Sequence, residues 1–211
     1  MFRSSRRRLA QETGSAGSAS SADRLGGSSP GSGSTESLGS SAIDLSWITD
    51  TLAIGGSFAP NQTETLARDH RIAAVVDVRG EACDDETLLA RHGIELLHLP
   101  TIDFEPITPR LLQRGIAFVT AHLTEGRRVF VHCAQGIGRS ALLGLCVLVE
   151  CGHAPISALT LAKARRSQVS PSRAQYEAWA SWLASRRADR GATWTVPTFD
   201  QFKAIVHRRH R

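Results

Sequence analysis

Residues 129–150 read VFVHCAQGIGRSALLGLCVLVE. The stretch opens on a short apolar run of buried-strand type, Val129–Val131, and closes on Ser140–Glu150, which is apolar on nearly every face. At about a dozen residues that second run is too short to span a bilayer, so it is expected to be a central helix buried on all sides. Between the two lie His132 and Cys133, a glycine-containing turn, and Arg139. A strand, a tight loop and a helix in immediate succession are one unit of an α/β sheet, and ligands of such sheets bind outside the carboxyl ends of the strands. The candidate site is therefore expected directly after Val131.

Outward from this unit, short β-like runs alternate with helical patterns. Leu45–Ile48 and Thr51–Gly55 resemble a small hairpin, with Gly55-Gly56 expected to close it. Residues 62–70 read as helical, and Ile72–Val78 (IAAVVDV) is a continuous apolar run of buried-strand type. Asp84–His92 predicts a helix with acidic residues in its first turn, ended by Gly93, and Ile94–Leu99 predicts a further strand. Pro109–Thr124 has Leu111, Leu112, Ile116, Phe118 and Val119 at helical spacing, with Pro109 in an allowed first-turn position. Pro155–Arg166 and Ser172–Ser185 supply two more helices, and the Trp179, Trp182, Leu183 stripe of the latter reads as core packing. The pattern predicts an α/β fold, a three-layer sandwich whose central, mostly parallel sheet of four to five strands is flanked by helices.

The 211 residues carry a formal charge of +5 and 41% hydrophobic residues, enough apolar material for a real core. The charge is unevenly placed. Arginines concentrate in residues 1–41 and basic residues in 186–211, whereas residues 42–185 are mildly acidic. A nucleic-acid-binding core is therefore not indicated, and no nucleic-acid partner is expected. Residues 1–41 are about half Ser and Gly, a composition that cannot offset its ordering entropy, so a flexible N-terminal tail is expected there. Arg3, Arg6, Arg7 and Arg8 could open an organelle-targeting peptide, but no apolar segment of the secretory kind follows. The simpler expectation is a disordered extension and a cytoplasmic protein. The domain is expected over residues 42–185, followed by a basic C-terminal extension at 186–211. Four cysteines in a chain of this length do not indicate a disulfide scaffold.

The segment from His132 to Ser140 has the physical make-up of a phosphate cradle. Ala134, Gln135, Gly136, Ile137 and Gly138 form a loop in which successive backbone N–H groups can point inward as an anion nest. The helix that starts near Ser140 aims its positive end at the same point, and Arg139 offers a planar fork of donors for two phosphate oxygens. The same field acts on Cys133, and thiols in such settings have pKa values of roughly 3.5 to 7.5. The product is a thiolate nucleophile facing a bound phosphoryl group. Ser140 can donate a hydrogen bond to the sulfur, and His132 is expected to orient the loop.

His132, Cys133, Gly136, Arg139 and Ser140 together resemble the H-C-x5-R-S/T signature of the cysteine-dependent protein tyrosine phosphatase superfamily. The resemblance covers about residues 43–185, and that length is similar to the compact dual-specificity branch. It implies hydrolysis of phosphotyrosine and phosphoserine or phosphothreonine in phosphorylated protein substrates, through a phosphocysteine intermediate, with no cofactor and no metal. It also implies a general acid about thirty residues before the cysteine. Asp103 stands there, in the Pro-bounded run Leu99-Pro100-Thr101-Ile102-Asp103-Phe104-Glu105-Pro106, with Glu105 the nearest competitor. Asp77, after a buried strand, is expected instead to tie the sheet edge through ion pairs.

Two alternatives accompany this reading. Lipid phosphatases of the superfamily often carry a further basic residue inside the loop, and none is present between Cys133 and Arg139. Thr101-x-Asp103 and the Leu112-Gln113-x-Gly115-x-x-Phe118 run are nevertheless similar to a mitochondrial phosphatidylglycerophosphate phosphatase of the superfamily. A phosphatidylglycerophosphate- or phosphoinositide-type lipid substrate is therefore the second reading, and a catalytically inactive phosphate-binding module the third. Cys83 could serve Cys133 as a resolving thiol, while Cys146 and Cys151 read as structural. His207 and His210 complete no metal site. Phe199, Phe202, Ile205 and Val206 lie at helical spacing before basic residues, which predicts either a helix packed on the domain or a weak contact with an anionic membrane surface or acidic partner.

Overall fold

A computed structural model describes residues 42–208, and the expected N-terminal tail and His210 lie outside them. The chain begins with an antiparallel hairpin, β1 (Leu45–Trp47) and β2 (Leu52–Gly55), joined by a turn at residues 48–51. Thr49 closes that turn by accepting from the Leu52 amide through its side-chain Oγ1 at 3.0 Å. Gly55-Gly56 does not close the hairpin, as expected from the sequence, but lies at its opposite end. A Cβ on Gly55 would stand 1.9 Å from the Asp44 carbonyl oxygen, so only glycine allows this close approach of backbone to backbone.

A short 3-10 turn (Pro60–Gln62) and α1 (Thr63–Arg68) lead into β3 (Ile72–Arg79). Then follow α2 (Glu86–Arg91), β4 (Glu95–Thr101), α3 (Pro109–Thr124), β5 (Arg128–His132) and α4 (Arg139–Glu150). The last elements are α5 (Pro155–Arg165), α6 (Arg173–Arg190) and α7 (Phe199–Val206). The five strands form one sheet in the order β1-β2-β5-β3-β4, parallel throughout except for β1. This is the α/β architecture that the strand–helix alternation predicts, with helices on both faces of the sheet.

Side chains of the central strand β5 alternate between two cores, as the twofold repeat of a strand requires. Val129 and Val131 face the larger core with α3–α7, and Phe130 faces the smaller one with Leu66 of α1 and Leu89 of α2. Helix α4 is buried from Arg139 to Val149, which explains a sequence that is apolar on every face. A strand at the middle of the sheet and a helix at the middle of a layer thus meet at the loop 133–138.

The packed unit extends beyond the boundary expected at residue 185. Helix α6 continues to Arg190, where Gly191 ends it in a left-handed conformation, φ 60°. The chain then returns through Pro197, whose carbonyl accepts from the Tyr176 hydroxyl at 2.8 Å, into α7. Phe202 and Val206 of α7 are buried in the main core, with Phe202 against Tyr176 and Trp179. The amphipathic C-terminal segment therefore packs Phe202 and Val206 on the domain itself, the first of the two alternatives read from its sequence.

Candidate active site

The loop after β5 is held by its carbonyls. Ala134 O accepts from the Ser57 amide at 3.1 Å, and Ile137 O from the Ser170 amide at 3.0 Å. Gln135 O and Gly136 O accept from the Arg166 guanidinium at 2.8 and 2.7 Å. With four successive carbonyls bonded outward, the alternate face of the loop turns its amides inward. Gly136 makes the turn at φ 66°, and a Cβ there would stand 2.3 Å from Gly55 backbone and 2.5 Å from Arg166 Nη2.

The amide of Gly136 donates to Cys133 Sγ at 3.3 Å, and the Ser140 hydroxyl lies 3.4 Å from the same sulfur. Cys133 is 3% exposed. Burial alone would raise its pKa, but the Ser140 hydroxyl and the amides of Ser140, Gly136 and Gln135 outweigh it, and the thiol is lowered from its ordinary value. The sequence pointed to the inward loop amides, the helix end and Arg139 as the causes; in the structure the Ser140 hydroxyl and the amides are the leading ones. Gly138 caps α4 with no side-chain hydrogen bond, so the positive end of the helix is turned toward the loop without a side-chain cap.

Arg139 is 1% exposed. Its Nη1 and Nη2 donate to the two oxygens of Glu81 at 2.6 and 2.9 Å, and Nη1 also donates to Thr101 O at 2.9 Å. The bidentate contact with Arg139 holds the Glu81 carboxyl at a pKa of about 2. Arg139 Nε lies 3.2 Å from Asp103 Oδ1, yet the angle is poor and this buried N–H has no hydrogen-bond partner. A buried donor without a partner costs about 1–3 kcal/mol, and an oxyanion seated in the loop would relieve it.

The loop joining β4 to α3 carries Asp103, whose Oδ1 accepts from the Phe104 amide at 3.0 Å. Phe104 has φ 62°, a left-handed backbone that costs a bulky residue of order 1–3 kcal/mol. Its carbonyl accepts from the Ser172 hydroxyl at 2.6 Å, and the Glu105 carbonyl accepts from Gln175 Nε2 at 3.1 Å. The first turn of α6 thereby holds the acid-bearing loop in place. Asp103 and Phe104 line a pocket of about 220 Å³ together with Cys133, the loop residues Ala134, Gln135, Ile137 and Gly138, and Arg139. Glu105 is exposed and does not line the pocket, so of the two candidate acids Asp103 has the position.

Behind the loop, His132 Nε2 lies 2.7 Å from Asp84 Oδ2 and Nδ1 lies 3.4 Å from Cys133 O. Arg79 bridges Asp77 and Asp84, with distances of 2.8 and 2.6 Å. Asp77 is fully buried; desolvation would raise its carboxyl, but Arg79 and His132 more than offset this, and its pKa is lowered. Asp77, Cys83 and His98 approach one another closely, as do Asp77, Asp84 and His132. Both sets share the Asp77 carboxylate, and both of its oxygens already accept from Arg79. Cys83 is an exposed free thiol raised by burial and by Asp77 and Asp84, the opposite of an activated partner for Cys133.

Glu81, Arg166, Gln175 and Asp84 were not anticipated from the sequence. Glu81 had a signal, since an acid two residues after a buried strand lies at the carboxyl edge of the sheet, where the loop after β5 also lies. The others had none, because each reaches the loop from a distant element.

Residues 57–182 match the family model described as "Dual specificity phosphatase, catalytic domain". The chain belongs to that family. The chain is similar to the human "Phosphatidylglycerophosphatase and protein-tyrosine phosphatase 1", 30% identical over 110 residues, which cover 49% of this chain and 54% of the relative. The chain thus spans about half the length of that relative; with the mouse counterpart the identity is 27% over 137 residues, 62% of this chain and 71% of the relative. Among solved structures, PTPMT1 in complex with PI(5)P superimposes with a TM-score of 0.63 at 25% identity, covering 69% of the phosphatase and 97% of that chain. Tk-PTP in its active form superimposes at 0.62 and 25% identity, covering 68% and 97%. The chain therefore has the dual-specificity phosphatase fold, with Cys133 and Arg139 on the loop after its central strand.

Proposed function

We propose that this phosphatase removes a terminal phosphate from a phospholipid headgroup of the phosphatidylglycerophosphate or phosphoinositide type. The reading rests chiefly on the kinship with a phosphatidylglycerophosphatase, and the solved PTPMT1 complex with a phosphoinositide supports it. The order of the two readings made from the sequence is thereby reversed. The catalytic steps are common to both.

The phosphoryl group sits with its equatorial oxygens on the loop amides, the open end of α4 and Arg139, whose unpartnered Nε gains an acceptor. Cys133 thiolate attacks phosphorus in line, a sulfur–phosphorus bond forms, and the ester oxygen–phosphorus bond breaks. Asp103 passes its proton to the departing alkoxide oxygen. Water then attacks the phosphocysteine, Asp103 takes a proton from that water, and the cysteine leaves as thiolate with Ser140 donating to the sulfur. His132 positions the loop from behind, through Asp84 and the Cys133 carbonyl.

A protein-phosphatase reading is favoured by the relative's own name, which includes protein-tyrosine phosphatase activity. The deciding experiment is a parallel assay on phosphatidylglycerophosphate and phosphatidylinositol phosphates in vesicles and on phosphotyrosyl and phosphothreonyl peptides. The lipid reading predicts a higher kcat/KM for a lipid; a clear preference for either peptide would restore the protein reading. Cys133→Ser is expected to abolish turnover on all of them.

A further inference from the structure

Three large hydrophobic residues are exposed among the described residues, Ile102, Phe104 and, much less so, Ile156. Two of the three flank the single residue Asp103, and both are 73% exposed. Thr101 and Ile107, at the two ends of the same loop, are buried. The loop thus carries its outward apolar side chains at the rim of the phosphate pocket, on either side of the carboxyl that faces the leaving group.

This placement is structurally maintained. Phe104 adopts a left-handed backbone, and its carbonyl is fastened to Ser172 while that of Glu105 is fastened to Gln175. Here the hydrogen bonds from α6 keep the loop backbone fixed and the two side chains in solvent.

We infer that Ile102 and Phe104 form an apolar lip that enters the headgroup–acyl boundary of an anionic phospholipid bilayer and brings the phosphatase onto its substrate surface. A phosphoryl group in line with Cys133 must direct its leaving oxygen at Asp103. Whatever carries that oxygen then lies beside the segment 102–104 that bears Asp103. If the carrier is a lipid headgroup, the bilayer lies within a headgroup's length of both side chains. Arg139 and the loop amides at the pocket base take the phosphate while the rim takes apolar surface, which is the polarity order of a membrane interface. The surface rests on the lipid reading of the substrate, but its binding can be measured separately from turnover.

Ile102 is the residue to vary, because it lies outside the phosphate pocket whereas Phe104 lines it. The full chain carrying Ile102→Gln or Ile102→Trp is sedimented with vesicles of mixed phosphatidylcholine and phosphatidylglycerol. Turnover of a soluble aryl phosphate, of a phosphotyrosyl peptide and of phosphatidylglycerophosphate in the same vesicles is measured alongside. Removing a buried aliphatic side chain predicts vesicle partitioning weakened about tenfold for Ile102→Gln. Partitioning by Ile102→Trp is expected to equal or exceed that of the native chain, and aryl phosphate turnover to be unchanged in both. Vesicle binding unaffected by either substitution overturns the lip, whatever the lipid turnover shows. Parallel loss of peptide and aryl phosphate turnover with normal vesicle binding also overturns it, since Ile102 would then serve the acid loop or a protein substrate. Binding through Ile102 without hydrolysis of the lipid sustains the surface and removes the lipid as substrate.

Discussion

Arg139 and Glu81 meet through two parallel hydrogen bonds, 2.6 and 2.9 Å, although 58 residues separate them in the chain. The planar fork is thereby oriented before any substrate arrives, with Nε left without a hydrogen-bond partner 3.2 Å from Asp103 Oδ1. Preorganised donors of this kind stabilise transition-state charge without reorganisation during the reaction. Because the Glu81 carboxyl titrates at about 2, the contact persists throughout the neutral and mildly acid range. It weakens only as pH falls through that value.

Glu81→Gln keeps the shape but lets the fork rotate. A misplacement of about 1 Å can cost 10²-fold, so kcat/KM on an aryl phosphate is expected to fall about 10- to 100-fold. Vanadate binding should weaken in step. A variant with native kinetics and native vanadate affinity would show that Arg139 holds its orientation through Thr101 O alone.

Ser140 lies 3.4 Å from Cys133 Sγ and is the leading influence that opposes the effect of burial on the thiol. Removing a hydroxyl that stabilises the thiolate raises the thiol pKa. The acid limb of the kcat/KM profile, where Cys133 loses its proton, is therefore expected to move to higher pH in Ser140→Ala. In the proposed mechanism the same hydroxyl assists the thiolate as it leaves the phosphocysteine. Its loss should lower kcat by about 10- to 100-fold, the worth of a hydrogen bond to a charged group. Burst kinetics with accumulated phosphoenzyme would identify the second step as the one affected.

What could be read from the sequence was what is local in it. Cys133 to Ser140 are contiguous, and a strand before and a helix after restrict what nine residues can build. The alternation of elements gave the sheet class for the same reason, since each apolar run is itself a strand or a helix. The residues that hold the loop from outside reach it across long separations, 58 residues for Glu81 and 122 for the Arg166–Asp44 pair. Such contacts depend on which strand lies next to which, and no spacing in the chain records that. The C-terminal helix was visible as amphipathic, but its partner surface of Tyr176 and Trp179 belongs to α6 and was not.

Arg166 donates to the carbonyls of Gln135 and Gly136 while pairing with both oxygens of Asp44. Arg166→Ala would leave two loop carbonyls and a carboxylate without their donor. Breaking a buried pair costs about 3–5 kcal/mol, and half-exposed Asp44 places this one near the lower end, about 3 kcal/mol. The measurement is denaturant unfolding at neutral pH. Asp44 has its carboxyl lowered, led by its hydrogen bond from Arg166. The stability it contributes is present above the unfolded carboxyl value and is lost as pH falls through the lowered folded value. The stability difference between native and variant should therefore narrow in acid.

Asp103 faces the pocket where Glu105 does not, and protonation of the leaving oxygen is its proposed task. Asp103→Asn should slow hydrolysis of a poor alkyl leaving group by about 10²–10⁴-fold. An activated aryl phosphate, whose oxygen departs with little help, should be slowed far less. Equal slowing of both would place Asp103 in phosphate binding through Arg139 Nε instead of in proton transfer. Glu105→Gln should leave both rates near native.

Phe202 joins the C-terminal helix to the catalytic unit. It is buried against Tyr176 and Trp179 of α6, and the first turn of α6 carries the Gln175 and Ser172 side chains that hold the acid loop. Phe202→Ala removes a large core side chain, and such truncations cost about 3–5 kcal/mol. Thermal unfolding should show a correspondingly lower Tm. If α7 only adds stability, turnover well below the new Tm will be native, with every kinetic constant unchanged. If α7 also sets the position of α6, the loss will fall on the step that Asp103 serves, and poor leaving groups will be slowed more than activated ones. The direct chain of packing from Phe202 through Tyr176 to the adjacent Gln175 favours the second outcome, and the ratio of the two rates decides between them.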